Sequence, residues 1–337
     1  MKLKFLLLIL IFITLTMIAV LNGPVSLEFS TIFGFTPSSL VSSDNVTTIL
    51  NYRWTKIITA VAACGGLAIA GLLMQTFFQN PLAGPDVFGL TSGASLGVAV
   101  SILAQSYLFQ FTSLELNLVG FSLEAIAAFI GAMVTFFIIS FLSKSFRSRT
   151  VLLITGLLMA SFLSGFISLL VSISSKDELR DFISWGLGSF EKVSLFYSIS
   201  LMFIVLFIAI LIFFMSRALN LFYLGESYAQ TSGLDVKSFK RKIIFFTCFL
   251  TAIITAACGP LAFVGVVSSH VARAFFKSSD HKILIPATLL IGSNLGLFVI
   301  IFLSFNFALP LPANAIMGFL GAPLLFLMIS KKEHRLN

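Results

Sequence analysis

Twenty consecutive residues, Leu195 to Phe214, carry no charged side chain. A helix needs about 20 apolar residues to cross roughly 30 Å of hydrocarbon. The run is continuously apolar, whereas a membrane barrel strand alternates apolar and polar residues. In hydrocarbon a segment must satisfy its backbone hydrogen bonds internally, so such a run becomes a helix. Ten apolar segments are expected, at about 4–22, 54–77, 90–108, 119–142, 150–173, 193–215, 242–258, 261–271, 282–304 and 311–330. The eighth is too short to span as a straight helix. Gly259 and Pro260 separate it from the seventh, and a broken segment is tolerated where protein or a cavity surrounds it.

Composition agrees. Hydrophobic residues make up 58% of the 337-residue chain and charged residues only 10%, against about 25% charged in soluble domains. Mean hydropathy is +1.07. So few polar side chains cannot cover a surface in water, so membrane lipid is the solvent for most of it. The expected fold is all-α and polytopic, one membrane domain over 1–337 with an inner loop at 216–241. The segment Phe5–Leu21 follows Lys2 and Lys4, as in a signal peptide. No A-x-A-like site follows closely, so it is read as the first span.

The net charge of +8 does not point to nucleic acid, because the basic residues lie mostly between apolar segments. With the N-terminus placed in the cytoplasm, the inner side receives Lys2, Lys4, Lys144, Arg147, Arg149, Arg217, Lys237, Lys240, Arg241, Lys242, Arg273, Lys277, Lys282, Lys331, Lys332 and Arg335. That is 16 of 21 basic residues. The outer side keeps Arg53, Lys56, Lys176, Arg180 and Lys192. The positive-inside rule then places both termini in the cytoplasm.

Several chemistries have no signature. No G-x-x-x-x-G-K-[ST] phosphate loop is present, so the chain is not expected to hydrolyse ATP itself. Neither a cofactor nor a metal site is expected: Cys64, Cys248 and Cys258 lie in apolar stretches without ligand spacing. His270, His281 and His334 are expected to be interfacial or solvated. Buried carboxylates or histidines that relay protons are missing from the helix centres; Glu124 comes nearest, close to an outer end. A secondary carrier acting without an ATPase is the alternative reading, and this absence weighs against it.

The segment Asn80-Pro-Leu-Ala-Gly-Pro-Asp-Val-Phe-Gly-Leu-Thr-Ser-Gly-Ala-Ser-Leu-Gly97 carries the most information. Pro85 and Asp86 suit a helix start. Gly89, Gly93 and Gly97 recur on one face and permit close packing. With Arg53-Trp54, Gly71-Leu-Leu-Met-Gln75, Trp185-Gly-Leu-Gly-Ser-Phe190, Leu224-Gly-Glu-Ser-Tyr-Ala-Gln-Thr-Ser-Gly-Leu234, Gly259-Pro-Leu-Ala-Phe-Val-Gly265, His270-Val-Ala-Arg273, Asp280-His281, Leu311-Pro312 and Gly321-Ala-Pro323, it resembles the FecCD-type permeases of iron-siderophore, haem and vitamin B12 importers. The motifs keep the family's order from about residue 50 onward.

The resemblance implies a type II importer permease of the ATP-binding cassette class in a bacterial cell membrane. It implies a second permease subunit, identical or paralogous, two ATPase subunits that use ATP, and an extracytoplasmic substrate-binding protein. The expected cargo is an iron chelate, siderophore-bound iron first, then haem or cobalamin. Leu224, Gly225, Glu226, Ala229 and Gly233 resemble the ATPase-coupling segment. An ordinary solvated loop is the competing reading, which without the resemblance would be preferred. Arg53 and Lys56 match outer basic positions that meet acidic residues of the binding protein, although basic residues also anchor helix ends in headgroups. Thr150, Gly156, Ser161, Ser164, Gly165 and Ser168 resemble the pathway-lining helix, and the same residue types also pack helices. One departure is the stretch Gly296–Leu303, uncharged where the family often has an Asp and an Arg. This leans toward a paralogous second permease.

Overall fold

The computed structural model describes residues 1–23, 43–103, 123–142, 149–304 and 311–333, and among them no strand occurs. The elements are α1 (Lys2–Leu21), α2 (Ser43–Phe78), a 3₁₀ turn (Pro85–Phe88), α3 (Leu90–Leu103), α4 (Leu123–Leu142), α5 (Arg149–Ile173), α6 (Lys176–Gly186) and α7 (Leu195–Phe214). Then follow α8 (Ser216–Tyr223), α9 (Glu226–Thr231), α10 (Val236–Cys258), α11 (Val264–Phe276), α12 (His281–Ser304) and α13 (Ala313–Glu333). Seven are long and apolar enough to cross a membrane: α1, α2, α4, α5, α7, α10 and α12. The shorter apolar helices α3, α11 and α13 bring the set to the ten segments read from hydropathy.

Some boundaries differ from that reading, for physical reasons. Helix α2 starts at Ser43 rather than 54 and runs about 54 Å at 1.5 Å per residue. Its first turns carry Thr47, Thr48 and Asn51, which hydropathy does not distinguish from a loop. Helix α10 starts at Val236 rather than 242 because Asp235 accepts from the Ser238 N–H and caps it. The charged turn Lys237–Lys242 therefore belongs to a helix. Helix α11 runs over 264–276 rather than 261–271, since Phe263 is left-handed (φ 63°) and opens it late. The expected segments at 104–108 and 119–122 lie outside the described residues.

Helix α2 is the buried hub. It packs on α12, α7, α10 and α11, and from Ala62 to Phe78 all its residues are buried. Backbones approach closely there: a Cβ on Gly71 would lie 2.3 Å from the Gly265 carbonyl oxygen in α11. A Cβ on Gly292 or Gly296 of α12 would lie 2.5 Å from Cys64 O or 2.7 Å from Ala60 O. Small residues at interfaces are how membrane helices gain contact area where hydrocarbon supplies no hydrophobic drive. The four-residue glycine spacing in α3 serves the same end: Gly93 and Gly97 meet Gly131 and Ala127 of α4.

The connections sort into two ends. At one, Lys4 Nζ donates to Phe275 O at 2.6 Å and lies over the Phe275 ring, tying α1 to the end of α11. The short helices α8 and α9 are at this end. At the other lies α6, whose Ser175 and Glu178 form a capping box. There too, Ser189 N–H donates to Cys258 O and Asn314 N–H to Leu187 O.

Candidate functional site

At the first end, residues 216–235 fold into α8 and α9 rather than an open loop. Helix α8 is wedged between spans. Its Phe222 ring stacks on Phe77 of α2 with centroids 6.3 Å apart and meets Phe239 of α10 at 5.6 Å. Gln79 Nε2 donates to the carbonyls of Phe222 and Tyr223 at 3.4 and 3.2 Å, adding a second bond to Phe222 O, which also accepts from the Gly225 N–H.

The five residues expected to couple divide by environment. Leu224 is 67% exposed. Gly225 has φ 129° and begins α9. Glu226 pairs with Lys240 of α10 at 2.6 Å. Ala229 is buried, so it holds α9 down rather than facing outward. Gly233 (φ 87°) turns the chain toward α10. The surface they present is therefore Leu224 with one edge of α9. Sequence reading missed the anchors beneath it, Phe222 and Gln79, which look like ordinary apolar and polar residues until the fold brings them together.

His281 corrects an expectation. It is 1% exposed, not solvated, because the first turn of α12 is covered by α8 and α2; Nε2 lies 2.8 Å from Thr76 Oγ1. Asp280 beside it accepts from Asn220 Nδ2 at 2.7 Å and from Lys282 N–H at 3.0 Å. The Asn220 side-chain bond, then the Lys282 backbone bond, hold its carboxyl below the ordinary range against partial burial.

At the opposite end Arg53 is not presented outward. It is 5% exposed, and Nη1 donates to Val20 O and Leu21 O at 2.5 and 3.0 Å. Its cation caps the end of α1, where carbonyls lack partners. Lys56 pairs with Glu191 at 2.5 Å. Burial disfavours a charge on Glu191, but hydrogen bonds from Lys56 and Tyr52, with the Lys56 charge, hold its carboxyl below the ordinary range. A cavity of about 450 Å³ opens near it among Glu124, Asp181, Trp185, Lys192 and Tyr197.

Helix α5 separates the pathway candidates. Gly156 is buried, and its carbonyl lies against Gly89, so it is a packing position. Thr150, Ser161, Ser164, Gly165 and Ser168 are exposed. The 161, 164, 165 and 168 spacing puts them on one face. Ser161 and Ser168 donate back to Leu157 O and Ser164 O, which leaves each hydroxyl oxygen able to accept. Phe162, Phe166 and Leu169 are exposed beside this stripe.

Comparison with known proteins gives a consistent picture. Residues 6–331 match the model of the FecCD transport family. The ferric enterobactin transport system permease protein FepD of Escherichia coli strain K12 is 30% identical, over 96% of this chain and 94% of its own. The hemin transport system permease protein HmuU of Yersinia pestis is 30% identical, over 85% and 84%. A solved metal-chelate type ABC transporter in an inward-facing conformation superposes with a TM-score of 0.81. It covers 97% of this chain and 98% of its own, and at 24% identity the likeness speaks to the fold.

Proposed function

The chain belongs to the FecCD transport family, and from that premise we propose that it is the membrane-spanning permease subunit of an ATP-binding cassette importer. Its cargo is an iron chelate, siderophore-bound iron first, delivered by an extracytoplasmic binding protein. Relatives named for ferric enterobactin and hemin transport support that class. The observation that carries the reading is the α8–α9 pair. Two short helices, wedged on α2 and α10 by Phe222, form a rigid projection at the end richest in Lys and Arg. Such a projection passes motion between an ATPase and the spans as a rigid body. Leu224, Gly225, Glu226 and Gly233 shape its contact, with Ala229 beneath.

Energy comes from outside the chain. No Asp, Glu, Lys, Arg or His occurs in Ile57–Phe78, Leu195–Phe214 or Ile243–Cys258, so these spans hold no proton relay. The α8–α9 end, with both termini, faces the cytoplasm. The exposed α5 stripe of Thr150, Ser161, Ser164, Gly165 and Ser168 lines the pathway against a second permease subunit; hydroxyls and missing side chains leave room for a bulky chelate and hold it weakly. Lys56, released from Glu191, meets an acidic residue of the binding protein, while Arg53 supports that face from within.

The test is reconstitution of the purified chain with its copurifying ATPase and binding protein in liposomes containing ATP. Uptake of an iron-55 siderophore complex is expected, and haemin, cobalamin and molybdate are run beside it. Equal uptake by the chain alone, without ATP, would establish the secondary carrier instead. Preference for molybdate or cobalamin would overturn the cargo while leaving the importer.

A further inference from the structure

A polar relay, buried at His281 and Thr76 and half-buried at Asn220 and Asp280, joins three elements at the α8–α9 end. Asn220, in α8, receives two bonds on one oxygen: Oδ1 accepts from the His281 N–H at 2.9 Å and lies 2.7 Å from His281 Nδ1. Its Nδ2 donates to Asp280 Oδ1. His281 is the first residue of α12. Its other ring nitrogen reaches Thr76 Oγ1, near the end of α2. With Nδ1 protonated it donates to Asn220 Oδ1, and Nε2 accepts from the Thr76 hydroxyl when that hydroxyl turns from Leu72 O. Tyr223 of α8 lies edge-on to the imidazole, with centroids 6.0 Å apart.

We propose that Asn220, Asp280 and His281 form a linkage that moves α8 together with α12 and α2, and so are positioning residues that carry ATPase motion into the spans. Apolar packing alone lets a helix slide. Directed bonds from one amide to a helix N-terminus and a buried ring do not, because each small displacement leaves a buried group unpaired. The linkage rests on the importer reading and adds residues that do not touch the ATPase. On α8, Asn220 makes the directed bonds to α12, beside the ring contact of Tyr223 with His281.

The experiment uses the complex purified with its ATPase. Spin labels are placed at Arg217→Cys and Phe298→Cys, both exposed, after Cys64→Ala, Cys248→Ala and Cys258→Ala. The α8–α12 distance is measured by pulsed electron resonance before and after Mg-ATP with vanadate. In the parent the distance is expected to stay fixed, because both helices move as one body. Asn220→Asp sets two carboxylates against each other, and the distance should then shift by about 2 Å or more with nucleotide. Asn220→Asp with Asp280→Asn removes the like-charge contact and should restore the fixed distance. If Asn220→Asp does not assemble, Asn220→Ala is read in its place. A role in stability alone predicts no nucleotide-dependent shift in any variant, and that result overturns the linkage. So does a double variant that still shifts, or a parent that shifts. A chain that holds no ATPase overturns the importer reading itself, and the linkage with it.

Discussion

Gly225 sits at φ 129° with open space around its Cβ position, so backbone conformation alone demands glycine there. Gly225→Ala should cost about 1–3 kcal/mol locally. Gly225→Pro should cost more, because proline fixes φ near −65° and removes the N–H that donates to Phe222 O. Membrane insertion should be unchanged in both, and the amount of copurified ATPase should fall; equal ATPase recovery would show that α9 is not the contact. Glu226 needs a finer test, because it already pairs with Lys240. Glu226→Arg should abolish binding-protein stimulation of the ATPase. Glu226→Lys with Lys240→Glu restores the ion pair, so recovery in that double variant would assign Glu226 to shaping α9 rather than to touching the ATPase. At the opposite end Glu191 has a depressed carboxyl. A depressed folded-state value contributes stability above the unfolded range, about 4.3 for Glu, and loses it as pH falls through the folded value. Lys56→Met removes the Lys56 bond and charge and leaves burial, which raises the value, opposed by the Tyr52 bond alone. The melting temperature of Lys56→Met relative to the parent should therefore drop most at neutral pH and converge below about pH 4. The pair is partly exposed, so the gap should be about 1 kcal/mol or less.

Between helices the same glycine residue type has opposite consequences. Gly71 meets the Gly265 backbone, whereas Gly165 has nothing within 4 Å of its Cβ position. Gly71→Ala should destabilise by about 1–3 kcal/mol, as overpacking does. Gly165→Ala should be neutral or gain up to about 1 kcal/mol of helix propensity. Thermal unfolding in detergent checks both; equal behaviour would mean that α2 and α11 relax apart. Hydropathy located the ten apolar segments because each is a contiguous run whose polarity contrasts with its flanks. It did not reveal the polar start of α2 or the charged start of α10, since a helix outside the membrane needs no apolar run. Helix α6 was legible in principle from Ser175 and Glu178, whose spacing is that of a capping box. The glycine motifs were legible as packing residues, but their partners were not, because Gly71 and Gly265 are far apart in the chain. The burial of Arg53 and His281 was hidden for the same reason: both look like end-of-helix polar residues until α1 or α8 covers them.

At the scale of the molecule, the two ends differ in charge. The end with α8, α9 and the start of α1 carries Lys2, Lys4, Arg217, Lys237, Lys240, Arg241, Lys242, Arg273, Lys277 and Lys282, while the α6 end has Arg53, Lys56, Lys176, Arg180 and Lys192. Arg53 and Lys56 are already bound to carbonyls and to Glu191, so less of that end's positive charge is offered to a membrane surface. Orientation follows from which end is harder to translocate, and Lys and Arg near span ends set that barrier. Asn337 and Arg217 should therefore share the cytoplasm, with Asp177 on the far side. A periplasmic reporter fused after Asn337 should be silent, and the same reporter fused after Asp177 should be active. Single cysteines at exposed Arg217 and Asp177, in the chain without Cys64, Cys248 and Cys258, give an independent readout. An impermeant maleimide added to intact cells should label the second and spare the first. Labelling of Arg217→Cys from outside would turn the whole chain over. The coupling segment would then face away from any cytoplasmic ATPase, so one topology experiment constrains the functional reading as strongly as any substitution within α9.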